Sequence, residues 1–247
     1  MPRLVTAYST LDWSPDGTLI TKTRSPAFDA RHRFRNELRI NRFLNAYPPP
    51  VHRPALVARD VQHRRLTFAA LPGQPLGPKY PLELAVEHID AIVDLAHRLR
   101  TFKPERRWFR RLNTVRRLAL AQRAGLLTDA QTVQLIAIAE RVHTRLRFGH
   151  GDLTARNVLG CSDGVALIDW EWAGLYPDGY ELAFFWFSLI DVEHGRTRVE
   201  EQLDTDERAF LLSALVIQLW HLHWYVPAEF RDKHVSTRDG IITRLCR

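Results

Sequence analysis

Short runs of alternating apolar and polar residues fill the first seventy positions of the chain, interrupted by one longer stretch. Residues 11–14 and 18–23 flank Pro15-Asp16-Gly17, a turn sequence that suits a β-hairpin. Ser25-Pro26 closes that strand pattern. A helix is expected over about 29–45, where Pro48-Pro49-Pro50 stops it, because proline has no N–H to continue a helical ladder. Residues 56–58 and 66–70 read as two further strands around the polar segment 62–65.

The strongest punctuation is Leu71-Pro72-Gly73-Gln74-Pro75-Leu76-Gly77-Pro78, which predicts a boundary between a unit 1–71 and a unit 72–247. Beyond it the pattern turns helical. Leu82, Val86, Ile89, Val93, Ala96 and Leu99 recur at three- and four-residue steps, as do Leu135, Ala139, Val142 and Leu146. The segment 147–166 breaks the helical pattern, with glycines at 149, 151, 160 and 164 around short apolar runs. Helices are expected again from about 180. Residues 209–228 lack formal charge, yet Ser213, Gln218, His221, His223 and Pro227 are costly in hydrocarbon, so a buried C-terminal helix is expected there, not a membrane span.

Composition narrows the class. With 247 residues, 45% hydrophobic and 26% charged, the chain reads as one or two globular domains. Two cysteines, Cys161 and Cys246, are too few for a disulfide framework and suggest a reducing, cytoplasmic setting. The N-terminus has no continuous apolar run of the signal-peptide kind. Thirty-five basic residues oppose 28 acidic ones, and only four of the basic residues are lysine: Lys22, Lys79, Lys103 and Lys233. In a chain that uses arginine by default, a lysine inside a patterned segment draws attention.

The chemistry concentrates in His150-Gly151-Asp152-Leu153-Thr154-Ala155-Arg156-Asn157 and Leu167-Ile168-Asp169-Trp170-Glu171. A His-x-Asp, an Asn five residues beyond the Asp, and an Asp closing an apolar strand supply what phosphoryl transfer needs. These are a carboxylate to take a hydroxyl proton and oxygen ligands for Mg²⁺. A hairpin of strands 158–159 and 166–168 would bring Asn157 to Asp169.

These residues resemble the aminoglycoside phosphotransferase and choline kinase superfamily, relatives of the protein kinases. The resemblance implies an α+β, bilobal, protein kinase-like fold: a small β-rich N-lobe (1–71), a mainly helical C-lobe (72–247), and ATP with Mg²⁺ between them. It implies that Asp152 is the catalytic base, that Asn157 and Asp169 bind the metal, and that His150 holds the catalytic loop, with Glu171 near the metal. Lys22, in an expected strand, matches the lysine that contacts ATP phosphates. Glu37 shares a helix side with Ile40 and Leu44, where a carboxylate needs a partner, and pairing with Lys22 satisfies both. The segment 66–73 resembles the hinge, where backbone groups at Ala69 and Leu71 would meet adenine. Two departures stand out. Residues 4–13 contain no glycine, so no glycine-rich phosphate loop precedes Lys22. Asp169 is followed by Trp-Glu and no Ala-Pro-Glu follows, which argues against a protein kinase.

The expected activity is ATP-dependent transfer of the γ-phosphoryl group to a hydroxyl of a small molecule, by a monomer or homodimer. The alternative is a kinase-fold binding module without transfer activity. Between 176 and 210, nine acidic residues face three basic ones. Lining the acceptor site, they would favour a cationic, aminoglycoside- or choline-like substrate; solvent-facing helix charges are the simpler reading. Residues 98–123 carry ten basic side chains against Glu105. An exposed amphipathic helix accounts for them without a nucleic-acid partner.

Overall fold

Strands β1 (Arg3–Val5), β2 (Ser9–Trp13) and β3 (Leu19–Arg24) form an antiparallel meander in a computed structural model that describes residues 3–5, 8–25, 30–226 and 230–247. The β2–β3 turn is the expected one. Gly17 adopts φ +71°, a left-handed value that glycine accepts readily, and Asp16 takes hydrogen bonds from the Thr18 amide (3.1 Å) and the Ser14 hydroxyl (2.5 Å). Helix α1 (Ala30–Ala46) follows; the expected start at Asp29 lies outside the described residues. Strands β4 (Leu56–Asp60) and β5 (Arg65–Ala69) complete a five-stranded sheet of order β1-β2-β3-β5-β4, which places β3 at its centre.

The Pro/Gly-rich segment is more ordered than its composition suggests. Gln74–Pro75 forms a short strand, β6, that pairs with β8 (Val158–Cys161), and β8 pairs in turn with β9 (Gly164–Leu167). The bond from Leu167 N–H to His52 O (2.8 Å) ties this small sheet to the chain beyond α1. A second small sheet pairs β7 (Leu146–Gly149) with β10 (Gly174–Pro177).

The remaining elements are helices: α2 (Val86–Arg100), α3 (Thr114–Arg123), α4 (Asp129–Val142), α5 (Tyr180–Ser188), α6 (Glu193–Glu201), α7 (Glu207–Trp224) and α8 (Arg231–Leu245). Two expected stripes are corrected at their ends. Leu82 lies before α2 and is 82% exposed, and Val86, in its first turn, is also exposed. Leu146 belongs to β7 and not to the helix before it, since α4 ends at Val142. The buried helix expected over 209–228 is present and ends at Trp224, and its expected last two positions, 227 and 228, lie outside the described residues. Its N-terminus is capped by Asp206, which accepts from Ala209 N–H (2.9 Å), and most of its side chains are buried on every side. Among the described residues, no helix is long and apolar enough to cross a membrane.

One apolar core runs from Ile40 and Leu44 of α1 through α2, α5 and α7 to Leu245. Leu153, Ala155 and Val158 join it around the loop that holds Asp152. The loop that holds Asp152 is therefore seated on this core.

Candidate active site

Lys22 sits in the central strand, opposite Leu11 on one side and Leu66 on the other, and is 8% exposed. Its ammonium donates to Glu37 Oε1 at 2.9 Å and to Asp169 Oδ1 at 2.7 Å. Glu37, on α1, is 1% exposed, a burial that a carboxylate sustains only when paired. The expected Lys22–Glu37 pair is therefore present.

Arg24 is the residue that sequence reasoning missed. It lies two positions beyond Lys22 on the same strand, so the period-2 pleat points both cations to one face. Its guanidinium donates to Glu37 Oε2 (2.5 Å from Nη2, 3.2 Å from Nε) and to the Glu171 carboxylate. Lys22, Arg24, Glu37, Asp169 and Glu171 thus form one ionic cluster, in which Glu37 has a separate cation on each oxygen. The Lys-x-Arg spacing was the signal, obscured by the abundance of arginine.

The residues of the loop 150–157 are fixed chiefly by bonds to backbone groups. His150 is fully buried, and burial pushes its pKa down, so the ring is neutral. Its Nε2 lies 2.8 Å from the Ile168 carbonyl, which only accepts, so Nε2 carries the proton. This bond joins the loop to the residue just before Asp169. A second tie comes from Ile168 N–H to Asn157 O at 2.9 Å. Asn157 Nδ2 donates to both the Asp152 carbonyl (2.8 Å) and Asp152 Oδ2 (3.0 Å). The structure brings Asp152 and Asn157 together, and it brings Asn157 beside the strand end that carries Asp169.

Asp169 itself adopts φ 63° and ψ 60°, a left-handed conformation uncommon outside glycine. That turn swings its side chain towards Lys22, where it remains 30% exposed. Burial would raise its pKa, but the Lys22 charge and hydrogen bond, with help from Arg24, outweigh that and lower it to about 2. Glu171 lies in the same cluster, and its carbonyl accepts from Asn36 Nδ2 at 2.6 Å.

Gly151, between His150 and Asp152, has φ +82°, and its amide donates to Glu181 Oε1 at 2.9 Å. Glu181 is mostly buried under the loop, and desolvation raises its pKa to about 7. At the expected hinge, the Ala69 amide is engaged by Ala55 O (2.9 Å) and the Ala70 amide by Thr18 O (2.8 Å). The Leu71 amide has no backbone partner among the described residues. The connection between β1 and β2 spans residues 6–8, of which 6 and 7 lie outside the described residues. It is short and carries no glycine.

The acidic segment after β10 is largely engaged away from Asp152. Asp178 is held by Arg100 (2.6 Å) and Arg147 (3.5 Å), Asp191 by Lys233, and Glu200 by Arg244 and the Trp186 indole. Asp204 pairs with Arg100 and with His97 (3.2 Å), and Asp206 is the cap of α7. These bonds favour the simpler reading of that segment, surface charges that pin helices.

The sequence from residue 7 to residue 216 matches the model of the phosphotransferase enzyme family. No protein with a curated function matches the chain. Among solved structures, it is similar to APH(2")-IIia in complex with GDP and kanamycin, at 16% identity and a TM-score of 0.65, covering 99% of this chain and 92% of the other. It is similar to the ADP-bound aminoglycoside phosphotransferase APH(2'')-Ib, at 16% identity and a TM-score of 0.63, covering 97% and 93%. It is also similar to the choline kinase LicA from Streptococcus pneumoniae, at 13% identity and a TM-score of 0.66, covering 100% and 94%. The fold is α+β and protein kinase-like, and the chain belongs to the phosphotransferase enzyme family.

Proposed function

We propose that the protein transfers the γ-phosphoryl group of ATP, with Mg²⁺, to a hydroxyl of a small molecule. The observation that carries this reading is the pairing of Asp152 with Asn157 beside the strand end that carries Asp169, the two segments tied through Ile168, with Lys22 bonded to Asp169. Residues 1–71 act as the nucleotide-binding lobe and 72–247 as the lobe that carries the catalytic loop and the acceptor site. The ADP- and GDP-bound neighbours support a nucleotide donor for this chain.

The side chains fit a magnesium ion shared with a nucleotide. Asp169 is ionised and partly exposed, and Asn157 spends its amide donor on Asp152, which leaves Oδ1 as an oxygen ligand. No group of three or more His, Cys, Asp or Glu suited to a metal occurs among the described residues. That fits an ion which takes its other ligands from phosphate and water. When bound, Mg²⁺ neutralises charge on the phosphate oxygens.

In the reaction, Asp152 takes the proton of the acceptor hydroxyl as its oxygen bonds to the γ-phosphorus. The bond from that phosphorus to the β,γ-bridging oxygen breaks, and ADP leaves. Asn157 orients the Asp152 carboxylate, His150 holds the loop to the strand end, and Lys22, steadied by Glu37, meets the phosphates. Backbone groups at Ala69 and Leu71 border the adenine, and of the two amides only that of Leu71 is open to donate. Asp152→Ala is the decisive variant: ADP release on a panel of hydroxylated compounds is lost while the melting temperature holds. Unchanged turnover would overturn the assignment.

A kinase-fold binding module is the second reading, favoured by the glycine-free connection before β2. Its mark is a thermal shift with an acceptor-like ligand but none with millimolar Mg·ATP.

A further inference from the structure

The segment between β6 and α2 brings one more cation to Asp152. Lys79 is among the four lysines of a chain that otherwise uses arginine, and its ammonium lies 3.4 Å from Asp152 Oδ1. Among the described residues, Asp152 is the only carboxylate within ion-pair distance of Lys79, and Asn157 already holds the other oxygen, Oδ2. The Lys79 side chain is one-third exposed and that of Asp152 one-fifth, so a ligand can reach both. An ammonium has three N–H donors, and the bond to Asp152 leaves two of them for another partner.

The backbone that carries Lys79 is pinned on both sides. The Leu76 amide donates to Val158 O at 2.9 Å, one residue beyond Asn157. Gly77 lies against the loop itself: a Cβ there would stand 3.3 Å from the Ala155 Cβ and 3.3 Å from Leu84 Cδ1. On the far side, the Tyr80 ring meets the Phe187 ring edge-on at 6.0 Å, which ties the segment to α5. Ala155, Leu84 and Phe187 all belong to the core that seats the Asp152 loop. The start of the lysine is therefore fixed, while its four-carbon stem leaves the ammonium room to follow a ligand.

Other cations near the reaction are already matched. Lys22, Arg24 and Arg33 face Glu37, Asp169 and Glu171, three charges against three. Lys79 instead stands on the acceptor side, placed there by its pair with the base. An acceptor hydroxyl bonded to Asp152 lies about 3 Å from the carboxylate, and the phosphorus that it attacks lies about 3 Å further on. An ammonium 3.4 Å from Oδ1 is thus within one side-chain rotation of the oxygens on that phosphorus. Negative charge spreads over those oxygens in the transition state, where a cation has its greatest effect. A compact ammonium acts on them as a point charge and can follow them from donor to acceptor, whereas a guanidinium fork fixes two oxygens in one geometry.

We propose that Lys79 is a further catalytic residue, whose ammonium binds an oxygen of the γ-phosphoryl group while that group passes from ADP to the acceptor hydroxyl. The inference rests on the phosphotransferase reading and adds a residue to its site. In the step, the acceptor oxygen bonds to the γ-phosphorus as its proton goes to Asp152. The bond to the β,γ-bridging oxygen breaks, and its electron pair leaves with ADP. Lys79 donates hydrogen bonds throughout and transfers no proton.

The test uses the full chain with Mg·ADP, alone and with aluminium fluoride, an anion that takes the place of the phosphoryl group in transit. Water stands for the acceptor, so none has to be identified. Calorimetry should show that aluminium fluoride tightens ADP binding in the parent. Lys79→Gln should lower the affinity of that fluoride complex about 100-fold and change binding of Mg·ADP alone by no more than about twofold. Lys79→Arg, which keeps the charge, should retain more affinity than Lys79→Gln. A lysine that only holds Asp152 in place would have no further effect once the carboxylate is gone, so the loss should persist in an Asp152→Asn background. Without ligand, Lys79→Gln should melt within about 2 °C of the parent, because a solvent-accessible pair contributes little to the fold. If the parent binds Mg·ADP but gains nothing from aluminium fluoride, the assignment of Lys79 is overturned. Equal gains in the parent and Lys79→Gln, an equal loss of Mg·ADP binding, or an effect that vanishes with Asp152→Asn overturns it too. A parent that fails to bind Mg·ADP removes the phosphotransferase reading, and the role of Lys79 with it.

Discussion

Lys22 and Asp169 lie 147 residues apart in the chain and 2.7 Å apart in the fold. Among the described residues the lysine is the only bonded link from the central strand to Asp169, whereas Glu37 keeps Arg24 if Lys22 is lost. Lys22→Met is therefore expected to cost about 3 kcal/mol in urea denaturation, the low end for breaking a buried ion pair. The same variant should lose most phosphotransfer. A variant as stable as the parent would show that the pair contributes nothing to the fold.

Asp169 also sets an acid limit. Its folded pKa, about 2, is below its unfolded value near 3.8, so its ionisation stabilises the protein fully above pH 3.8 and that contribution is lost as pH falls towards 2. A pH series of melting temperatures should show an acid decline in that window that flattens in Asp169→Asn.

Glu181 works in the opposite direction. Its pKa rises from 4.5 to about 7 in the fold, so the folded state binds the proton more tightly than the unfolded chain. Stability should then fall as pH rises from about 4.5 to 7 and level off above, by at most about 3 kcal/mol. Glu181→Gln keeps an oxygen for the Gly151 amide and removes the charge, so its stability should be flat across that window. A parent profile that matches the variant would refute the assignment.

Two glycines with similar φ should respond differently to alanine. At Gly17, φ +71°, a Cβ would meet nothing within 4 Å, so Gly17→Ala should cost about 1 kcal/mol for backbone strain alone. At Gly151, φ +82°, a Cβ would come within 2.7 Å of the Trp172 carbonyl oxygen and collide with the Tyr176 side chain. Gly151→Ala should cost about 3 kcal/mol and disturb Asp152, its neighbour. Denaturant midpoints and turnover together check both parts.

Asn157→Asp changes one group and almost no volume. It replaces the donor facing Asp152 Oδ2 with an acceptor, and two carboxyl oxygens at that distance repel. Turnover should fall about 100-fold through loss of base orientation, with Mg·ADP binding measured by calorimetry less affected. Equal loss of both would shift the weight of Asn157 to the metal.

Local patterns in the chain were sufficient for much of this protein. Pro15-Asp16-Gly17 specifies its hairpin because turn geometry is local, and Pro48-Pro49-Pro50 ends α1 because proline cannot donate. The spacing from His150 to Asp169 announced that these groups would lie together, since one loop and one hairpin carry them and backbone groups of Ile168 tie the two. Glu37 could be paired with Lys22 in advance, as an isolated carboxylate on an apolar helix face is untenable. What the chain could not disclose were contacts made across long separations by residues of ordinary type. Arg24 is one arginine among many until the pleat sets it beside Lys22 and α1 brings Glu37 to both. Arg117 is indistinguishable from its basic neighbours until α3 lays it on Trp220, with no ion pair among the described residues. The acidic run after β10 allowed two readings, an acceptor-site lining and the simpler one of helix surface charges, and Arg100, Arg147, Lys233 and Arg244 arrive from distant elements and take up its charges, which favours the simpler one. Charge at a site is a sum over neighbours in space, and only tertiary packing chooses those neighbours.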